Sequence, residues 1–346
     1  MSLLVKRVFS AICGLLFVSH FSAGAAAADD AVADFYKGRN LTVLIGFSPG
    51  GGVDIYGRLL GQHLVKHLPG KPNFISQNMP GGGGLTAVNY LYNVAPKDGS
   101  HIIIMLPSHA LEPSMGNANA QWDTQKLTWI GNVTKDVPSC IASGMSGIRS
   151  IKHAQTQQIT VGATGPSSGT FQHAAALANI LGYRLKIISG YQGTAQVRLA
   201  MEKGEVDAMC ELYSSVALGP HRQEIASGKY VPIVQMGNEK HAAFGDAPLI
   251  YDLTDDQRQR KIMSFIYGAS EITRPFAAPP GVPADRIAAL RTAFWAAVMS
   301  PELKADAERM QLILDPMTGE QTEAAFRAIL NTPQEIIEQA KTAIRN

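Results

Sequence analysis

Leu41-Thr42-Val43-Leu44-Ile45-Gly46-Phe47-Ser48-Pro49-Gly50-Gly51-Gly52-Val53-Asp54 is the stretch on which the fold turns. Its first seven residues form a near-continuous apolar run of strand length, the pattern of a parallel strand buried on both faces. The glycine turn then runs into a helix, with Asp54 placed as its N-cap. Ile55, Leu59, Leu60, Leu64, Val65 and Leu68 recur at helical spacing on one face, and Pro69-Gly70 ends the element. The unit repeats at once. Asn73 to Gln77 is a second strand, Asn78-Met79-Pro80-Gly81-Gly82-Gly83-Gly84 a second glycine turn, and Leu85, Val88, Leu91 and Tyr92 mark a helix. Asp98-Gly99 then turns into a strand from His101 to Leu106. Such a β-α-β-α-β series predicts a parallel sheet covered by helices on both faces.

After an irregular stretch over 107–127, Trp129 to Val133 and Cys140 to Ala142 read as strands. A second series follows: strand Ile159 to Gly162, turn Ala163 to Gly169, helix Thr170 to Leu181, strand Leu185 to Ile188, helix Thr194 to Lys203. Val206 to Leu212 and Val231 to Met236 complete that sheet, and 281–346 reads as helical. The expected architecture is α/β, with two lobes, each a mostly parallel sheet flanked by helices, and a ligand cleft between them. Residues 36–135 and 245–346 are expected to form a discontinuous first lobe, and 136–244 the second.

Composition removes several classes of function. Lys and Arg number 30 against 28 Asp and Glu, and the first two cations, Lys6 and Arg7, precede every acidic residue. Beyond Ala28 the chain is neutral, so it cannot supply the counterion release that dominates nucleic-acid affinity. Met1 to Ala28 reads as a secretory signal. Lys6 and Arg7 form its basic start, Val8 to Phe21 its apolar stretch, and Ala26-Ala27-Ala28 its cleavage site. No long apolar run follows, so no membrane span is expected. Cys140 and Cys210 each sit in an apolar stretch and are expected as two buried free thiols, a bridge being the alternative. No C-x-x-C and no His/Cys cluster offers a metal site.

Three glycine turns carry the chemistry: Ser48 to Asp54, Met79 to Gly84, and Thr164 to Thr170. In open α/β sheets ligands sit beyond the carboxyl ends of the strands, facing helix starts whose free N–H groups favour anions. Glycine allows several such groups to converge. A nucleotide is not the expected anion. Neither N-terminal turn carries the P-loop lysine, and Gly50-x-Gly52-x-x-Ile55 lacks the third glycine of a dinucleotide fingerprint. A carboxylate is expected, held by N–H groups and hydroxyls rather than by a dedicated arginine, with no cofactor. The candidate contacts are Phe47, Ser48, Gly51, Gly52 and Asp54 on the first turn, and Met79, Pro80 and Gly82 on the second. Ser108 and His109 end a strand near the cleft. Thr164, Ser167, Ser168, Gly169 and Thr170 form the third turn, and Glu211 and Tyr213 end a strand of the second sheet. Arg58 is expected in a surface or interdomain ion pair.

An enzyme reading competes. Gly165-Pro166-Ser167-Ser168-Gly169 matches G-x-S-x-G between a strand and a helix, as a secreted serine hydrolase using Ser167 would require. Only His173, His221 and His241 follow Ser167, none of them in the last 105 residues, where the triad histidine of such a fold belongs. Pro166 also fixes φ directly before the supposed elbow.

Together, Phe47 to Asp54, Asn78 to Gly84 and Ala95-Pro96-Lys97-Asp98-Gly99 resemble the periplasmic solute-binding proteins of tripartite tricarboxylate transporters, the Bug family. Gly165 to His173 and Tyr191-Gln192-Gly193 fit the same pattern. The resemblance implies two α/β lobes joined by crossing strands and closing on a ligand as a hinge. The first two loops would grip a carboxylate, partly through waters; Ser167, Ser168, Gly169 and Thr170 would meet its distal group, and Tyr191 joins the candidate contacts. It implies a small organic acid as ligand (a di- or tricarboxylate, an acidic amino acid or an aromatic acid), two integral membrane transporter subunits as partners, the periplasm as location, and no catalysis. The protein is expected to act as a monomer. A module presenting its ligand to a membrane receptor is a further alternative. Two positions depart from the family. Pro80-Gly81-Gly82-Gly83-Gly84 stands where a small side chain within the loop, as in Pro-Gly-Ala-Gly-Gly, is usual, and Glu211-Leu212 where Asp-Asn is frequent. A carboxylate at Glu211 would repel a dianion unless the ligand brings a hydroxyl or amine to it.

Overall fold

The computed structural model describes residues 30–345. The expected signal segment and its cleavage site therefore lie outside the described residues. Helix α1 (30–36) leads into β1 (Asn40–Ile45), α2 (Gly52–His67), β2 (Asn73–Asn78), α3 (Leu85–Asn93), β3 (His101–Ile104), α4 (Pro107–Leu111) and β4 (Thr128–Asn132). The chain then crosses to β5 (Pro138–Ser143), β6 (Ile159–Ala163), α5 (Gly169–Leu181), β7 (Leu185–Ser189) and α6 (Thr194–Glu202). β8 (Ala208–Tyr213), α7 (Ser214–Leu218), α8 (Arg222–Ala226), β9 (Tyr230–Gln235) and α9 (Gln257–Tyr267) follow. It returns through β10 (Pro275–Ala278), α10 (Ala284–Met299), α11 (Pro301–Arg309), β11 (Met317–Thr318), α12 (Gly319–Leu330) and α13 (Gln334–Ala343).

The strands form two mixed sheets, ordered β11-β4-β10-β3-β1-β2 and β7-β6-β8-β5-β9. Each has a parallel half built from the βαβ series, β2-β1-β3 in one and β7-β6-β8 in the other. The antiparallel halves come from strands next to the crossings: β10 pairs with β3 and β4, and β5 with β8 and β9.

β1 shows why its sequence is apolar throughout. Val43 and Ile45 enter the core under α2 and α10, while Leu44 enters the opposite core under α3. Trp129 of β4 stacks on Phe326 of α12 at 4.3 Å, closing that second face. In the second sheet, α5, α9 and α13 cover the face carrying Val161, Ala208 and Cys210, and α6 and α7 cover the face carrying Ile141 and Met209. The segment 245–346 is thus shared: α10, α11 and α12 pack on the first sheet, α9 and α13 on the second. It is also not wholly helical over 281–346, because β11 pairs with β4.

Cys140 and Cys210 are joined by a disulfide, which replaces the two free thiols expected from the sequence. They are 70 residues apart but lie on adjacent antiparallel strands, a proximity that spacing along the chain does not show. The pairing is irregular there. Ser139 faces Leu212 and Ile141 faces Met209, so Cys140 stands opposite two residues, Cys210 and Glu211. Glu211 adopts a left-handed φ of 68°, a β-bulge at the sheet end nearest the cleft.

Candidate functional site

The carboxyl ends of both parallel sheet halves face each other, and the glycine turns meet across the gap. Ser48 N donates to Gln192 O at 3.0 Å, joining the first turn to the β7–α6 loop. Gly81, Gly82, Gly83 and Gly84 all have positive φ, between 58° and 140°, a run that only glycine follows without strain. This second turn packs on the third so closely that a Cβ on Gly165 would lie 2.6 Å from Gly83 N. Ser108 Oγ donates to Ser167 O at 3.2 Å, and Asn117 Nδ2 to Ser167 Oγ at 3.0 Å. The two halves are in contact, and a pocket remains between them.

That pocket is partly open to solvent. Phe47, Gly51 and Gly52 reach it from the first turn, Thr164 and Thr170 from the third, and Glu211 and Tyr213 from β8. Apolar walls come from Val53, Leu106, Met209, Leu212 and Val216, and Thr194 with two arginines, Arg198 and Arg274, completes the lining. A second pocket takes in Gly82 and Tyr191, with Phe47 and Thr164 on the shared wall.

An arginine, Arg274, lines the pocket, although the sequence pointed to N–H groups and hydroxyls rather than a dedicated arginine. It is 1% exposed. Its Nη1 donates to Thr273 O at 2.8 Å, while its Nε has no hydrogen-bond partner among the described residues. The guanidinium carbon lies 4.4 Å from the Tyr213 ring centroid and 5.2 Å from that of Tyr56. A Cβ on Gly52 would sit 3.0 Å from Nη2, so the cation is held at the start of α2. No motif marked it, because Arg274 reaches the cleft only through the return crossing into β10.

Other candidates have structural partners instead. Asp54 is not the N-cap of α2; Gly51 is. Asp54 Oδ2 accepts from Gly50 N at 3.0 Å, and its Oδ1 from Arg58 Nε at 2.9 Å and Asn78 Nδ2 at 2.8 Å. Arg58 also donates to Asn78 Oδ1 at 2.7 Å, so its ion pair braces the first two turns of one lobe rather than bridging lobes. His109 is buried; its Nε2–H donates to Gly83 O at 2.9 Å while Nδ1 accepts from Leu106 N at 3.3 Å, which holds the second turn in place. Burial pushes its pKa down to about 4. Met79 and Pro80 line neither cavity.

The third turn is filled by the protein itself. Ser168 Oγ donates to Gly165 O at 2.7 Å, and Thr170 Oγ1 accepts from Thr164 N at 3.0 Å. The Glu211 carboxylate lies at the start of α5, against the backbone N–H of Thr170, and a Cβ on Gly169 would overlap it. That helix start is not a vacant anion site, contrary to the role expected for Ser167 to Thr170. Ser167 has Asn117 as its polar neighbour, whereas His173 packs edge-on against Tyr267 at 5.0 Å. His221 and His241 pack against Tyr230 and Phe244, so no serine–histidine pair of the hydrolase reading is assembled among the described residues.

Glu211 accepts from Tyr213 Oη at 2.9 Å, and burial pushes its carboxyl up to about 7. A carboxyl with a folded pKa above its unfolded value of about 4.5 stabilises the fold most below pH 4.5 and progressively less as pH rises through 7. Glu211→Gln is therefore expected to stabilise the ligand-free protein by about 3 kcal/mol at pH 8 and by less than about 1 kcal/mol at pH 5. Urea unfolding of both proteins at the two pH values checks this. His109 and His173, both lowered by burial, act in the opposite direction, but equally in variant and parent.

No family model matches the chain. It is 25% identical over 255 residues to the "UPF0065 protein in gbd 5'region" of Cupriavidus necator, an alignment covering 72% of this chain and 74% of that protein. The solved periplasmic binding protein BugD superposes with a TM-score of 0.71 at 21% identity, over 88% of this chain and 98% of the other. MatC from Rhodopseudomonas palustris, solved with bound malate, gives 0.69 at 18% identity over 89% and 99%. The structural neighbours are thus periplasmic binding proteins of the Bug and TctC type, and the two-lobed α/β fold is theirs. The likeness expected from the glycine loops holds at the level of the fold.

Proposed function

We propose that this protein is a periplasmic solute-binding protein of the tripartite tricarboxylate transporter type. It captures a small organic carboxylate between its lobes and delivers it to integral membrane subunits, with no chemistry of its own. The observation that carries this reading is the pocket at the strand ends, where the buried Arg274 guanidinium and the start of α2 lie side by side. An unpaired buried cation is costly without an anionic partner. MatC, the neighbour with bound malate, belongs to the same fold and supports this class of guest.

In this reading the first sheet with α2, α3, α10, α11 and α12 is one lobe, and the second sheet with α5, α6, α7, α9 and α13 is the other. Ligand contacts from both lobes favour the closed state, which the membrane partner recognises. Hydrogen bonds to a charged group contribute about 1.5–3 kcal/mol each. A few of them, less the costs of association and closure, reach the roughly −8 kcal/mol of micromolar affinity. A thermal-shift screen with di- and tricarboxylates, aromatic acids and amino acids tests this. At 1 mM, a ligand with a micromolar Kd adds about 4 kcal/mol, a rise on the order of 5 °C in a chain of this size. No shift with any acid would overturn the proposal.

A further inference from the structure

Glu211 and Arg274 both line the same pocket without a direct ion pair between them. Among the described residues the guanidinium forms no ion pair, and its Nε is unpartnered. Tyr213 links the two groups. The cation lies over its ring face, and its hydroxyl donates to Glu211 Oε1 at 2.9 Å. Glu211 stands on a bulge with a left-handed backbone, beside the Cys140–Cys210 bridge, so its carboxyl is built into the cavity wall. A cation and a separate carboxyl in one otherwise mainly apolar pocket call for a guest that offers the complement of both.

We infer that the ligand is an acid that carries, besides the carboxylate met by Arg274, a hydrogen-bond donor, hydroxyl or ammonium, that is met by Glu211. This inference rests on the carboxylate-binding reading and narrows it. Glu211 excludes unsubstituted acids, and Arg274 supplies the affinity common to all acids.

The test is calorimetric binding of matched acids to the purified protein: succinate, malate and aspartate; adipate and 2-aminoadipate; phenylacetate and mandelate. At least one donor-bearing acid is expected to bind ten-fold or more tightly than its unsubstituted counterpart. Glu211→Gln should bring that ratio within about three-fold while acids still bind. Arg274→Lys should weaken every acid at least thirty-fold without changing the ratio. If Arg274→Lys fails to fold, the Glu211→Gln ratio decides alone. Equal binding of substituted and unsubstituted acids, or a ratio unchanged in Glu211→Gln, would overturn this inference and leave the carboxylate reading intact. Binding of none of the acids, in the screen or here, would overturn both.

Discussion

Reducing the Cys140–Cys210 bridge is expected to lower the unfolding free energy by about 4 kcal/mol, the largest single effect foreseen for this protein. The bridge closes a loop of 70 residues, and a crosslink of that span removes about 4 kcal/mol of chain entropy from the unfolded ensemble. The loop holds β6, α5, β7 and α6 entire, so one bond constrains most of the second sheet before it folds. Denaturant midpoints with and without reductant measure the effect. A Cys140→Ala and Cys210→Ala double variant should match the reduced protein and lose its sensitivity to reductant. A loss below about 1 kcal/mol would mean that the unfolded chain is already compact over this span, which is the known weakness of the entropic account.

The second large effect is on binding. Gly165→Ala is expected to weaken affinity for the bound acid by about 10- to 100-fold, because its methyl meets the Gly83 backbone at 2.6 Å only when the halves are together. Gly165 is not among the positive-φ glycines, so alanine suits its backbone and the cost arises at the contact between turns. Overpacking of that kind costs about 1–3 kcal/mol, and in the hinge closure proposed above it would fall on the closed state. The ligand-free melting temperature should hardly move. Small-angle scattering should show the variant failing to compact on adding an acid that compacts the parent. Unchanged affinity would mean that these turns do not touch in the liganded protein.

The parallel strands and the glycine turns were legible because each has a local cause. A strand buried on both faces must be apolar throughout, as β1 is, and a loop with four left-handed residues in succession must be glycine, as Gly81 to Gly84 are. β10 was not legible: it is four residues long, begins with Pro275, and owes its place to β3 and β4. Arg274 was hidden for the same reason, since only the crossing of strands brings a lone arginine beneath the start of α2. Glu211 stood out as a departure from the resembling family, but that its carboxyl occupies the start of α5 depends on a bulge no local pattern announces. The cysteine pair needed the antiparallel register of β5 and β8, which is a property of the sheet and not of spacing.

The packing of α12 on β4 and of α13 on α5 and α9 ties the halves together a third time, beyond β4–β5 and the return into β10. Asn179 Nδ2 fastens the end of α13 by donating to Ala343 O at 2.8 Å. Between the two helices only residues 331–333 are free to stretch, and three extended residues span about 10 Å. The far edge of the molecule is therefore on a short leash. In the hinge motion proposed above, opening wider than that slack would have to peel the last helix from its seat, so a C-terminal tether would cap the stroke.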